Sequence, residues 1–185
     1  MLTNLKDRLF RRRAAADAKA ADAKAGKPAF QPVHLSTAKN IVVLFPADDA
    51  ADRKAIDKWR ETYKMSGGKI KFTGYFSQNI GSTDFGFPAI TPKNLNWYGV
   101  PKGESVNAFN KLECDLLLRL GPAEHKELDY LAASKAANLK VGPFQPEVAG
   151  TPYHLQFDAK GASGLREQLA AIEQIFSYTN ANRTT

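Results

Sequence analysis

Ile41-Val42-Val43-Leu44-Phe45-Pro46-Ala47-Asp48-Asp49 is the stretch whose reading decides the fold. Its first five residues form an unbroken apolar run, the pattern of a strand buried on both faces rather than one that alternates between core and water. Pro46 ends the run, and Asp48 or Asp49 is placed to cap a following helix in which Ile56, Trp59 and Tyr63 recur at helical spacing until Gly67-Gly68 breaks it. A strand apolar on both faces needs a layer of helices on each side. The chain is therefore expected to be α/β.

Reading outward, a second strand is expected over about Lys69 to Phe76, and a short one around Phe85 to Ile90 within an irregular stretch from Ser77 to Lys102. A short helix near Glu104 to Phe109 leads to a central strand, Cys114-Asp115-Leu116-Leu117-Leu118-Arg119. Gly121-Pro122 then opens a helix with Leu128, Leu131 and Ala132 on one face. Leu139 to Gly142 and Tyr153 to Asp158 read as further strands, and Ser163 caps a final helix carrying Leu165, Leu169, Ile172 and Phe176. Strands that alternate with helices predict a single three-layer, mainly parallel, Rossmann-like sheet over residues 40–180. Residues 181–185 are expected to be disordered.

The chain has 185 residues and one cysteine, Cys114, so neither an intrachain disulfide nor a cysteine-rich zinc site is expected. A reducing, cytoplasmic setting fits, and the N-terminus reads as neither a secretory signal nor a membrane span. The formal charge of +7 divides unevenly along the chain. Residues 1–39 hold nine Lys/Arg against three Asp/Glu, a balance of +6, whereas residues 40–185 hold seventeen against sixteen. Any partner of the polyanion class must therefore be sought by the first segment.

That segment, 1–39, reads as a basic, low-complexity helical tail and linker. Leu2, Leu5 and Leu9 share one side of a short helix, with Phe10 near it, and Arg11-Arg12-Arg13 follow. Then come the near-repeats Ala16-Asp17-Ala18-Lys19-Ala20 and Ala21-Asp22-Ala23-Lys24-Ala25, ended by Gly26, Pro28 and Pro32. Alanine favours helix, yet the repeats lack large apolar side chains, so a solvated helix or spacer is expected. Lys6, Arg8, Arg11, Arg12 and Arg13 are its candidate contacts to phosphate, on RNA or on anionic lipid, since guanidinium groups match phosphate in a bidentate way.

No catalytic, metal or cofactor constellation emerges from the domain. The turn after the first strand lacks the glycines of a phosphate cradle and carries negative charge. His34, His125 and His154 share no metal-ligand spacing, and Cys114 beside a buried strand reads as an inert small hydrophobe. Glu113, Asp115 and Asp158 stand at strand ends, where carboxylates are usually solvated. The most individual segment is Asn94-Leu95-Asn96-Trp97-Tyr98-Gly99-Val100-Pro101-Lys102. Asn94, Asn96, Trp97, Tyr98 and Lys102 read either as a loop that binds a ligand, base or protein partner, or as a turn whose aromatics cover one end of the core.

Asn94 to Gly99, the stretch from Phe109 through Asp115-Leu116-Leu117-Leu118, and Lys140-Val141-Gly142 together resemble an uncharacterised family of bacterial proteins common in the Bacteroidetes group. The likeness covers about residues 40 to 180, and it implies a basic N-terminal extension but no activity. A looser resemblance, to the nucleotide-sugar-using heptosyltransferases, rests on an Asp-Leu strand, a helix and a Lys-x-Gly strand. Those enzymes have two domains facing across a cleft, so this chain would supply half a site. The preferred expectation is a non-catalytic binding protein whose tail contacts ribosomal or other structured RNA. A peripheral protein of the inner-membrane surface and a small-ligand or nucleotide-sugar-binding enzyme are the alternatives.

Overall fold

The computed structural model describes residues 2–25, 33–63, 68–81, 84–146, 151–161 and 164–181. Gly26, Pro28, Pro32, Gly67, Ser163 and residues 182–185 lie outside these, and with them the linker, helix-break, cap and C-terminal expectations placed there. The element order is α1 (Leu2–Ala25), β1 (Asn40–Pro46), α2 (Ala50–Thr62), β2 (Lys69–Tyr75), β3 (Ala89–Ile90), α3 (Glu104–Lys111), β4 (Leu116–Arg119), α4 (Lys126–Ser134), β5 (Leu139–Pro143), β6 (Leu155–Phe157) and α5 (Leu165–Ala181).

The strands form one sheet in the order β3-β2-β1-β4-β5-β6, with every neighbouring pair parallel. β1 sits centrally, pairing Ile41 with Ile70 of β2 on one side and with Leu116 of β4 on the other. Its apolar run is divided between two cores. Ile41, Val43 and Phe45 face Ile56 and Trp59 of α2 and Leu165, Leu169 and Ile172 of α5. Val42 and Leu44 face Val106 and Phe109 of α3 and Leu128, Leu131 and Ala132 of α4. This is the three-layer arrangement that a strand buried on both faces requires.

Several boundaries differ from expectation for local reasons. β4 starts at Leu116; just before it the Asp115 carboxylate accepts the backbone N–H groups of Lys39 (3.1 Å) and Asn40 (2.9 Å) while its own N–H donates to the Asn40 carbonyl, tying it to the start of β1. α4 starts at Lys126, not at Pro122, with His125 as N-cap. Of the expected strand over Phe85 to Ile90 only Ala89–Ile90 pairs, while Phe85 and Phe87 turn inward against the first core. Packing also begins before residue 40, since Leu35 and Ala38 are buried in that core.

The largest difference is α1, which lies along the outer side of α4 and is not a solvated spacer. The leucines do not dock it: Leu2 and Leu5 are 68% and 49% exposed. Phe10 is buried instead, in a third cluster with Val100 and Tyr130 that Ala14 and Tyr98 border. Alanine helps where it seemed to offer nothing, because Ala21 is buried and small side chains let helices approach closely. Phe10 also receives Lys126 Nζ over its ring at 4.3 Å, a cation–π contact.

Candidate functional site

Charge is sorted across α1. Each acid has a partner on the domain: Asp7, itself exposed, lies 3.3 Å from Lys126 Nζ, Asp17 accepts the hydroxyl of Tyr130 and pairs with Arg13 at 2.7 Å, and Asp22, 70% exposed, lies 3.6 Å from Lys140 Nζ. Lys140 is buried and also donates to the Ala133 carbonyl at the end of α4, at 3.1 Å. Burial lowers its pKa, opposed by Asp22. Arg8, Arg11, Arg12 and Lys19 are exposed, and Lys6 is half-buried. Arg8, Arg12 and Lys19 fall on the side of the helix opposite Phe10 by the 3.6-residue period. The structure thus brings together Arg8, Arg11 and Arg12 as an outer ridge and sets Arg13 aside in an ion pair.

The loop after β3 is built by its own amides. Asn96 Oδ1 accepts from Tyr98 N (3.1 Å) and Val100 N (2.9 Å), and Asn94 Oδ1 accepts from Thr91 N (3.0 Å). A bridge pairs Leu95 with Pro101, and Lys102 N donates to the Asn94 carbonyl. Asn94 and Asn96 therefore hold the turn, their carbonyl oxygens already engaged by backbone N–H groups. Tyr98 borders the Phe10 cluster, which joins this loop to α1. Trp97 is 60% exposed at the tip, edge-on to Tyr98, and the Lys102 side chain is exposed.

In parallel sheets of this order the crevice beyond the carboxyl ends of the two strands where the winding reverses, here β1 and β4, is the usual ligand position. The protein's own groups occupy it. Gly121, at φ +110°, lies so close to Pro46 that a Cβ would stand 2.7 Å from its Cδ. Gln168 clips the same glycine, accepting from Gly121 N at 2.7 Å and donating to its carbonyl at 3.2 Å. At the start of α2 the Asp49 carboxylate takes Ala51 N at 2.7 Å, and the Arg53 guanidinium reaches back to the carbonyls of Ala47 and Asp48. A helix N-terminus filled by its own carboxylate does not present the free N–H groups that a pyrophosphate needs.

Beside it is a partly buried polar network centred on Asp129. Its carboxylate accepts from Tyr153 Oη (2.6 Å), Gln145 Nε2 (3.0 Å) and His125 N (3.0 Å), and Arg119 Nη2 stands 2.9 Å away. Arg119 is fully buried at the end of β4. Its Nη1 donates to the Pro122 carbonyl, its Nη2 faces Asp129 at an ion-pair distance without hydrogen-bond alignment, and its Nε has no hydrogen-bond partner. Tyr153 reaches Asp129 because its ring lies flat on Gly142, where a Cβ would come within 2.5 Å. Burial raises the pKa of Tyr153 and lowers that of His125. These contacts tie α4 to the ends of β4 and β5. Sequence reading missed them, although an arginine closing an otherwise apolar strand demands a counter-charge from a neighbouring helix.

Among the described residues, no group of three or more His, Cys, Asp or Glu is placed to hold a metal ion, and no helix is long and apolar enough to cross a membrane. Cys114 is half-buried, its thiol pushed up to about 12 by burial. His34 bonds the Phe176 carbonyl at 2.7 Å, and His154 Nδ1 accepts from Lys140 N at 3.0 Å. Asp115 and Asp158 stand at opposite ends of the sheet and do not meet.

Residues 15–175 match a protein family described as "Family of unknown function (DUF6913)". The chain belongs to this family. The match spans all six strands and opens inside α1, so that Asp17, Ala21 and Asp22 fall within it and Arg8, Arg11, Arg12 and Arg13 precede it. No curated protein and no solved structure matches the chain.

Proposed function

We propose that this protein is a non-catalytic binding protein that presents α1 to ribosomal or other structured RNA. The observation that carries the reading is the pairing of α1: Phe10 is buried, each of its three acids has a partner on the domain, and Arg8, Arg11, Arg12 and Lys19 stand exposed. Docking converts a helix of mixed charge into a positive ridge, because the domain's Lys126, Tyr130 and Lys140 occupy the carboxylates. RNA is favoured over an anionic membrane because an interfacial helix must bury an apolar face in lipid. Here Phe10, Ala14 and Ala21 are already engaged with the domain, leaving only Leu2 and Leu5 exposed near the start. The same reading sets the protein in a bacterial cytoplasm, and the Asn94-to-Gly99 loop is its second contact region.

The test compares the full chain with an Arg8→Gln/Arg11→Gln/Arg12→Gln variant, which leaves the docking face intact. Binding to a short RNA hairpin is measured across a salt series, with phosphatidylserine vesicles as the parallel arm. The variant is expected to weaken RNA binding and to reduce the slope of log K against log salt by about 2 to 3. Unchanged RNA affinity in the variant, or binding to vesicles without binding to RNA, would overturn the reading.

A further inference from the structure

We propose that the RNA recognised by this protein carries an unpaired base next to the duplex gripped by α1, and that the base stacks on Trp97; this rests on the reading of α1 as an RNA-binding helix. Trp97 is the only tryptophan exposed among the described residues, Trp59 being buried against Tyr63 and Phe72. A large exposed ring normally costs ordering entropy when it binds. Here the tip is already ordered. The hydrogen bonds from Tyr98 N and Val100 N to Asn96, from Gly99 N to the Asn96 carbonyl, and from Lys102 N to the Asn94 carbonyl fix the backbone on both sides of the ring.

The loop is also coupled to the helix. Tyr98 and Val100 pack at the Phe10 cluster, and Lys126, which lies over Phe10, comes within 3.8 Å of the position a Cβ on Gly99 would take. The loop therefore meets α1 at Phe10, in the half of the helix that carries Lys6, Arg8, Arg11 and Arg12. The chemistry around the ring selects the partner. Lys93 and Lys102 are exposed on either side of Trp97 along the chain, and an ordered aromatic flanked by lysines suits a base flanked by phosphates. A protein hot spot would instead centre such a ring in a water-excluding apolar patch. A continuous duplex hides its bases within the stack, so the ring requires a loop, bulge or end.

The experiment uses the full chain with two RNAs of equal length, a hairpin with an unpaired loop and a blunt duplex, and anionic vesicles as a third probe. Tryptophan emission and Kd are measured for the wild type, Trp97→Phe and Trp97→Ala. The loop RNA is expected to quench emission in the wild type and not in Trp97→Phe. Trp97→Ala is expected to weaken loop binding by about tenfold, with Trp97→Phe in between and the blunt duplex unaffected. Equal binding of both RNAs with no quenching, while Arg8→Gln/Arg11→Gln/Arg12→Gln still weakens binding, would overturn the stacking proposal and leave the helix reading standing. If the arginine variant binds as the wild type does, both fall. An emission change with vesicles and none with RNA would overturn the choice of partner.

Discussion

Replacing Asp129 with alanine tests whether the network beyond β4 and β5 holds the fold. The carboxylate accepts Tyr153 Oη at 2.6 Å and two nitrogens at 3.0 Å, and it is the counter-charge of a fully buried Arg119. Its loss leaves a guanidinium facing a gap and a phenol without its acceptor. Removing one member of a buried pair costs about 3–5 kcal/mol. Asp129 is 24% exposed, so water can partly replace it and the lower figure, about 3 kcal/mol, applies. With a urea slope of about 2 kcal/mol per molar, the unfolding midpoint should fall by about 1.5 M at constant slope. Urea denaturation followed by circular dichroism and tryptophan emission measures this. In the Arg119→Met background the charge is gone, and the same Asp129→Ala change should cost only about 1 kcal/mol, the worth of its remaining hydrogen bonds. A midpoint shift below about 0.5 M, or an equal cost in both backgrounds, would refute the argument.

Two further outcomes follow from the docking of α1 and from the histidines. Phe10→Ala should release α1 while the sheet stays folded, because Phe10 is the one large side chain that α1 buries against the domain. Hydrogen exchange should show residues 2–25 losing at least about tenfold protection with the strands unchanged, and retained protection would count against docking through Phe10. Burial lowers both His125 and His154 from the ordinary value of 6.5, so the unfolded chain takes up protons first as the pH falls. Stability should be full above about pH 6.5 and decline as the pH drops through the lowered folded values, when each Nδ1 ceases to accept its backbone N–H. Thermal melts between about pH 7.5 and 5 report this, and His125→Asn, which keeps an N-cap acceptor, should flatten the decline. A melting temperature that rises toward pH 5 would contradict the sign.

The layer order was legible in the chain because it follows from local pattern. A five-residue apolar run can be satisfied only between two helical layers, and Pro46 and Asp49 mark the turn into α2. The irregular stretch after β2 was less legible, since Phe85 and Phe87 gain burial by turning inward without pairing as a strand. The candidate site divided in the same way. Arg8, Arg11, Arg12 and Trp97 were visible as residue types, but their setting was not. Asn94 and Asn96 looked like contacts for a partner and serve the loop backbone, because a short amide finds its nearest donors two to four residues away.

What the sequence determined by itself is the α/β class, the central strand and the concentration of positive charge in the first segment, all properties of composition and short-range order. Tertiary structure alone decided that α1 docks on α4, that its three acids find partners on the domain, and that Asp129 answers Arg119. The physical reason is distance along the chain. Asp7 and Lys126, Asp22 and Lys140, and Tyr98 and Phe10 are neighbours only after the sheet has folded, and a charge or ring takes its meaning from what then stands beside it.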